Sequence, residues 1–249
     1  RGFITGKRYK VITVFVDQYS DLSFVYTQKS TTAEETVQAK EAFERYAKTH
    51  GVTVRHYHAD NGIFAEAEFL RAVEKNGQSI SFCGVNAHHM NGHAEKRIRD
   101  LQENARAMLL HAKRRWPTAV SSHLWPYAVR MANEVHNFSP SIKEAISPIE
   151  KFSQVQVSPR VKHCHTCGCP VYVLDGKLQV GKGVPKCDDR ARIGLFLGFS
   201  PRHGRKVALV LNLTTGHVSP QFHVVFDDLF DTLRPSAGNA FPKSLWQQK

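Results

Sequence analysis

Two strand-like runs of this chain end in an aspartate, and this recurrence restricts the folds and sites that the chain can form. The apolar run 11–16 is typical of a buried strand, and Asp17 follows it directly. Residues 52–59 read as a second strand, which leads to Asp60 and an Asn-Gly turn signal. Glu95 lies near the start of a long helical pattern. Two strand-end aspartates and one helix glutamate can converge on a single site.

Strand and helix patterns alternate over the first half of the chain and predict an α/β fold. Thr32, with Glu35 three residues later, is typical of a helix N-terminus, and Gly51 is typical of a helix end. The predicted strands cover residues 9–17, 22–29, 52–60 and 79–85, and the predicted helices cover residues 33–50, 65–75, 93–113 and 122–137.

The pattern changes after a connector that contains scattered Ser and Pro. Short β runs separated by glycine-rich, basic turns predict a small antiparallel sheet or barrel, with strands at residues 169–174, 193–199, 207–213 and 221–226. We therefore predict a core at residues 1–145, a linker at 146–162, a small basic β module at 163–232 and a flexible tail at 233–249.

The charge of the chain favours a polyanionic partner. The 249 residues carry a net charge of +12, and residues 151–249 contribute more of this excess than the longer first part. The basic side chains expected to contact DNA phosphates in the β module are Lys177, Lys182, Lys186, Arg202, Arg205 and Lys206. No apolar run approaches the length of a membrane span, and we expect no membrane partner.

Paired carboxylates favour hard cations such as Mg²⁺, which prefers oxygen ligands. Two such ions can hold the attacking and leaving oxygens of a phosphodiester displacement. Asp60 alone is better explained as a turn residue, but the three acids together, each at an element boundary, favour a site. Other nearby acids do not end a buried strand and are expected on exposed faces: Asp21, Glu66, Glu68 and Asp100.

Two features near these acids have more than one interpretation. The same helix carries three basic residues after Glu95, which either form a solvated basic face or contact phosphate: Lys96, Arg97 and Arg99. The histidines at positions 88 and 89 either position DNA or line a loop, and we favour the loop.

The segment 163–169 contains alternating His and Cys, which can indicate zinc. A tetrahedral site normally needs a second ligand pair, and Cys187 has no cysteine near it. We favour a segment that leads into a strand. The odd number of cysteines, five in all, favours a reduced, intracellular setting.

The segments 15–20, 58–62 and 91–99 resemble the integrase region of copia-type LTR retrotransposons. The 34 residues between Asp60 and Glu95 fit the Asp-Asp-Glu pattern of that family. Segments that resemble the small SH3-like β module downstream of the family's catalytic core are residues 168–174, 190–200 and 219–227.

This resemblance implies a ribonuclease-H-like core, in which a mixed five-stranded sheet is flanked by helices. Asp17, Asp60 and Glu95 would be the catalytic residues and the ligands of two Mg²⁺ or Mn²⁺ ions. The implied reaction is strand transfer, in which the 3′-hydroxyl of the element's DNA attacks a target phosphodiester. The implied partners are element ends, target DNA, further copies of the chain and the other domains of a Pol polyprotein before processing.

The family also carries a zinc module upstream that this sequence lacks, so we expect the chain to be a segment of a longer polyprotein or a decayed copy. Two alternatives stay open. One is an inactive relic or a domesticated DNA-binding protein, and the other is a nuclease or transposase of the same fold. Integration implies residence in a cytoplasmic particle and access to the nucleus.

Overall fold

A computed structural model describes residues 2–3, 9–84, 91–142, 144–156, 164–204 and 206–233. The chain divides into two units. The first unit comprises residues 8–103 and 132–159, and the second comprises residues 1–7, 104–131 and 160–249.

An antiparallel hairpin begins the first unit. Strands β2 (Val11–Val16) and β3 (Ser23–Gln28) pair with Val16 opposite Ser23, close to their predicted bounds. On β2, Phe15 is buried and stacks on Phe43 with ring centroids 4.9 Å apart. The hairpin therefore has one face in the core, and the turn that closes it carries Asp17.

A parallel strand pair follows helix α1 (Ala33–Thr49), whose N-terminus is capped by Thr32 as predicted. Strand β4 (His56–Ala59), helix α2 (Ala67–Lys75) and strand β5 (Ser79–Phe82) form a strand–helix–strand unit in which His56 pairs with Ser79. Alternation along β4 buries Tyr57 and Ala59 and exposes the two histidines between them. The core of the unit contains Phe15, Leu22, Ala39, Phe43, Ala47, Tyr57, Phe69, Val73, Ile149 and Phe152.

Helices α3 (Gly92–Arg115) and α4 (Trp125–Phe138) match their predicted positions. Helix α5 (Pro148–Ser153) corrects the prediction of a linker at 146–162. Its N-terminus is closed by a Ser147–Glu150 capping box, and its buried Ile149 and Phe152 pack into the core of the first unit. Scattered Ser and Pro suggested a connector, but here they form a helix cap and a first turn.

The α/β class predicted from the sequence is confirmed, because helices accompany strands of mixed direction in the first unit. Within the described residues, hydrogen bonds join its four strands as two pairs, β2–β3 and β4–β5.

The second unit contains a six-stranded antiparallel sheet. Its elements are β1 (Gly2–Phe3), β6 (Pro170–Leu174), the short helix α6 (Gly176–Gln179), β7 (Ala191–Phe199), β8 (Ala208–Asn212), β9 (His217–Gln221) and β10 (Val224–Phe226). The strands lie in the order β1-β9-β8-β7-β6-β10 across the sheet. The prediction of a single strand at residues 221–226 is wrong. The chain bends at residues 222–223, so that β9 pairs with β8 and β10 pairs with β6.

The second unit also includes residues 104–131, which the sequence analysis assigned to the core at 1–145. A close approach at Gly168 shows why these residues group with the sheet. Gly168 has a φ of 72°, and a Cβ at this position would lie 2.8 Å from the Cβ of Ala112. The helical segment therefore packs directly on the residues that lead into β6.

Replacement of Asn137 by leucine is expected to lower the free energy of unfolding by about 2–3 kcal/mol. Asn137 is buried, its Oδ1 accepts from the Ser23 backbone N–H at 3.0 Å, and its Nδ2 donates to the Ser23 carbonyl at 2.7 Å. Leucine would leave both backbone groups buried without these partners. Urea unfolding measures the loss, with Asn133→Leu as the matched control.

Asn133 accepts a single bond from the Ser23 hydroxyl at 2.7 Å, and a hydroxyl can rotate to another partner. The control should therefore lose less stability than Asn137→Leu. Equal losses in the two variants would contradict the assignment of the larger effect to the Ser23 backbone.

Candidate active site

Asp17 lies at the end of β2 in a tightly hydrogen-bonded turn. Its backbone N–H donates to the Leu22 carbonyl at 2.8 Å. Its carboxylate Oδ2 accepts from the backbone N–H of Ser20 at 2.8 Å and from the Ser20 hydroxyl at 2.6 Å. Both of these hydrogen bonds use Oδ2, and within the described residues Oδ1 accepts none. The turn therefore orients the carboxylate and leaves one oxygen for a ligand.

Asp60 follows β4, as predicted, and is exposed. The amide of Asn61 donates to the Cys83 carbonyl at 3.1 Å, which connects this turn to the end of β5. A Cβ at Gly62 would lie 3.4 Å from Oδ1 of Asp60, so the turn passes close to the carboxylate.

Glu95 lies in the first turn of α3 and is exposed, as are Lys96 and Arg99. The two basic side chains thus remain available for phosphate contact. Arg97 differs from them, because only 11% of its side chain is exposed.

A cavity of about 440 Å³ connects the elements that carry the three acids. Asp17 lines this cavity directly. Ala59 and Ala94 also line it, and they immediately precede Asp60 and Glu95. The end of β2, the end of β4 and the first turn of α3 therefore meet around one space.

The three acids are not assembled as a metal centre in this arrangement. Among the residues that the structure describes, which include all three acids, no group of three or more His, Cys, Asp or Glu side chains is placed to hold a metal ion. Carboxylate oxygens are the ligands that Mg²⁺ prefers. The donor chemistry therefore fits a divalent ion, and assembly of the ligands requires a change in their relative positions.

Asp21, expected on an exposed face, has a side chain that is 43% exposed but bound by partners distant in the sequence. Its carboxylate accepts from Nε2 of His93 at 2.7 Å and forms an ion pair with Arg97, while Nε2 of His136 donates to its backbone carbonyl at 2.9 Å. Burial acts to raise the pKa of Asp21, but the bonds from Arg97 and His93 outweigh it and hold the pKa below its usual value. These partners are 72 to 115 residues away, so no local signal in the sequence identifies them.

A series of side-chain hydrogen bonds between β4 and β5 was also not predicted from the sequence. His56 contacts the hydroxyls of Ser79 and Ser81 at 2.8 and 2.9 Å, and His58 contacts Ser81 at 2.9 Å. Both histidines line the cavity. Their alternation with Tyr57 and Ala59 in the sequence was the available signal, because period-two alternation places them on one face.

Five of the basic side chains expected to contact DNA from the second unit are exposed: Lys177, Lys182, Lys186, Arg202 and Lys206. Arg205, the sixth, lies outside the described residues. Residues 85–90, which include the histidines at 88 and 89, also lie outside the described residues. So do residues 234–249, which make up nearly all of the predicted tail.

The Cys and His segment leads into a strand, as favoured above. Cys167 and Cys169 are buried directly before β6, and burial raises the pKa of the Cys167 thiol to about 12. The ring of His165 stacks on Phe226 with centroids 3.5 Å apart and contacts the Asp228 carboxylate at 2.8 Å. Position 163 lies outside the described residues.

Across the described part of the chain, every helix is too short or too polar to cross a membrane.

A comparison with models of known protein families finds no match. Among solved structures, the chain is similar to the HTLV-2 integrase catalytic core domain in complex with magnesium, in a trimeric form and a dimeric form, with 20% identity to each and TM-scores of 0.44 and 0.43. The similarity covers 57% of this chain and 83% of each HTLV-2 chain. It is also similar to the catalytic core domain of BIV integrase, with 18% identity, a TM-score of 0.44 and coverage of 57% of this chain and 85% of that chain.

Proposed function

We propose that the first unit is the core of a polynucleotidyl transferase, and specifically of a copia-type retrotransposon integrase that joins DNA by strand transfer. The cavity carries the proposal. Asp17 lines it, and residues adjacent to Asp60 and Glu95 line it as well, so the three elements that carry these acids meet around one space. The integrase-like segments 15–20, 58–62 and 91–99 contain these three acids and support the same assignment.

In this proposal Asp17, Asp60 and Glu95 hold two Mg²⁺ or Mn²⁺ ions. When bound, such ions lower the pKa of an attacking hydroxyl and stabilise the oxygen that leaves. Ser20 has a supporting role, because its two hydrogen bonds orient the Asp17 carboxylate. The substrate hydroxyl is the 3′ end of the element's DNA, and the bond that breaks is a target phosphodiester.

Lys96 and Arg99 extend from the same helix as Glu95 and are proposed to contact the DNA backbone beside the reacting phosphate. The second unit is proposed to be an SH3-like module that binds DNA through its basic turns, Arg205 among them. We also propose that the chain acts as a homo-oligomer on DNA ends, is released from a Pol polyprotein and reaches the nucleus.

DNA binding by the chain is expected to weaken with salt, with a slope of about −0.9 in log K against log salt for each phosphate contact. Lys182→Gln combined with Lys186→Gln removes two exposed charges of the second unit. If both contact phosphate, the slope becomes shallower by about 1.8. Fluorescence anisotropy with labelled duplex DNA measures the slope.

Lys48→Gln combined with Lys75→Gln is the matched control, because it removes the same charge from exposed positions on α1 and α2. The control should retain the slope of the wild type. Equal slopes in all three proteins would contradict the assignment of phosphate contacts to Lys182 and Lys186.

A disintegration assay tests the function. A branched DNA that mimics the strand-transfer product is incubated with the purified chain, with Mn²⁺, with Mg²⁺ or with a chelator. Metal-dependent rejoining would establish transesterification. Cleavage without rejoining would favour the nuclease or transposase alternative. DNA binding without either product would favour an inactive relic.

A further inference from the structure

The turn that carries Asp17 presents an exposed aromatic side chain, Tyr19. Among the described Phe, Tyr and Trp residues, two are more than half exposed: Tyr19 at 68% and Phe222 at 61%. Tyr19 belongs to the first unit and Phe222 to the second. Burial of an aromatic ring is strongly favourable. Single exposed apolar residues are nevertheless common on protein surfaces, so the surroundings of Tyr19 decide its interpretation.

Hydrogen bonds within the turn hold the backbone of Tyr19 in place. The Asp17 carboxylate accepts from the backbone N–H and the hydroxyl of Ser20 at 2.8 and 2.6 Å, and the Asp21 N–H donates to the Asp17 carbonyl at 2.9 Å. These bonds close the turn on both sides of Tyr19. Because the backbone is already ordered, less conformational entropy is lost when the ring binds a ligand.

Lys151 of α5 orients the Tyr19 ring. Its ammonium lies over the ring at 5.0 Å from the centroid, within the range of a cation–π interaction. Bonds from the ammonium to the two carboxylate oxygens of Glu144, at 3.1 and 2.9 Å, hold it there. Since Lys151 covers one face and the residue is 68% exposed, the opposite face of the ring is open to solvent.

The contact between Tyr19 and Lys151 lies beside the cavity of the candidate active site. Gln18 precedes Tyr19 and Phe152 follows Lys151, and both of these neighbours line the cavity. Two peptide units separate Tyr19 from Asp17, so their Cα atoms are at most about 7.6 Å apart. Successive nucleotides of B-DNA are about 3.4 Å apart along the axis, so a base about two nucleotides from a phosphodiester at Asp17 lies within this distance.

We propose that the open face of Tyr19 stacks on an unpaired base of the DNA substrate, next to the reacting phosphodiester. This inference rests on the proposed function. Every base has a flat aromatic face, and loss of one base–aromatic stack weakens binding by about 5- to 100-fold. Bases inside a continuous duplex already stack on one another, so the ring is available to unpaired bases, such as those at the branch of a strand-transfer product. Tyr19 thereby positions the DNA and takes no part in the chemical step.

Fluorescence anisotropy tests the proposal with two labelled DNAs, a branched DNA with unpaired thymines at the branch and a continuous duplex of the same length. Tyr19→Ala should weaken binding of the branched DNA by about 5- to 100-fold and leave binding of the duplex unchanged. Tyr19→Phe should bind both DNAs like the wild type, because phenylalanine keeps the stacking face. Phe222→Ala is the matched control, since it removes an exposed aromatic ring from the second unit, and it should also bind both DNAs like the wild type.

Equal affinities of Tyr19→Ala and the wild type for the branched DNA would overturn the proposal. An equal loss of affinity for both DNAs would also overturn it, because a general DNA contact or damage to the fold does not distinguish unpaired bases. Photocrosslinking from 5-iodouracil at the branch identifies the contact directly. A crosslink to Tyr19 in the wild type is expected, and crosslinks that exclude Tyr19 would contradict the assignment.

These binding measurements separate the inference from the proposed function. A wild type that binds branched DNA through Tyr19 but does not rejoin it would contradict the proposed function and leave the stacking role intact. Rejoining by Tyr19→Ala with the same kcat and the same KM for branched DNA as the wild type would contradict the stacking role alone.

Discussion

Replacement of Asp60 by asparagine is expected to reduce metal-dependent rejoining of branched DNA by at least about 100-fold, because it removes one carboxylate ligand from the proposed metal site. The fold should tolerate the change. Asp60 is exposed after β4, and within the described residues its carboxylate forms no ion pair. The effect should therefore appear in the rate and not in the unfolding midpoint.

Glu68→Gln is the matched control for Asp60→Asn. Glu68 is an exposed acid in the first turn of α2, where no role in the site is proposed. The control should rejoin DNA at the rate of the wild type. Rejoining by Asp60→Asn at that same rate would remove Asp60 from the site and with it the proposed set of three acids.

Replacement of Lys40 by methionine is expected to lower the free energy of unfolding by about 3–5 kcal/mol, the usual result when one partner of a buried ion pair is removed. The Lys40 side chain is 0% exposed and pairs with Glu44 at 2.8 Å. Its ammonium also donates to the Ala72 carbonyl at 3.3 Å. Because Glu44 retains bonds from Tyr57 and Gln78 and is 20% exposed, the loss should lie near the lower end of that range.

Arg45→Met is the matched control on the same helix. Arg45 pairs with Glu41 at the same four-residue spacing, but the two side chains are 70% and 56% exposed and 3.6 Å apart. An exposed pair of this kind contributes less than about 1 kcal/mol. Urea unfolding followed by circular dichroism compares the two variants, and similar losses would contradict the role assigned to burial.

The stability contributed by the Lys40–Glu44 pair should also depend on pH. Burial acts to raise the pKa of Glu44, but bonds from Lys40, Gln78 and Tyr57 outweigh it and hold the pKa below its usual value of 4.5. A carboxyl whose pKa is lower in the folded state than in the unfolded state stabilises the fold at pH values above its ordinary pKa. This stabilisation is lost as the pH falls through the folded-state pKa. The difference between wild type and Lys40→Met should therefore shrink when unfolding is measured below pH 4.5.

The local elements of the first unit follow from the sequence because their signals are local. The apolar run 11–16 and the Thr32 cap specify β2 and the start of α1 through alternation and capping, which need only neighbouring residues. The same reasoning placed Asp17 and Asp60 at strand ends, where the structure has them. It failed at residues 221–226, since a bend between two strand-forming runs depends on which strand each run pairs with.

Features that depend on distant partners were decided by the tertiary structure alone. The burial of Lys40, the packing of α5 and the contacts of Asp21 all require residues remote in the sequence, such as His136, 115 positions from Asp21. Charge alone predicts solvent exposure for Lys40, because an isolated charge is costly to bury. The sequence by itself determined which acids end strands and begin a helix, whereas the fold decided which cations pair with Glu44 and Asp21 and that Glu95 is exposed.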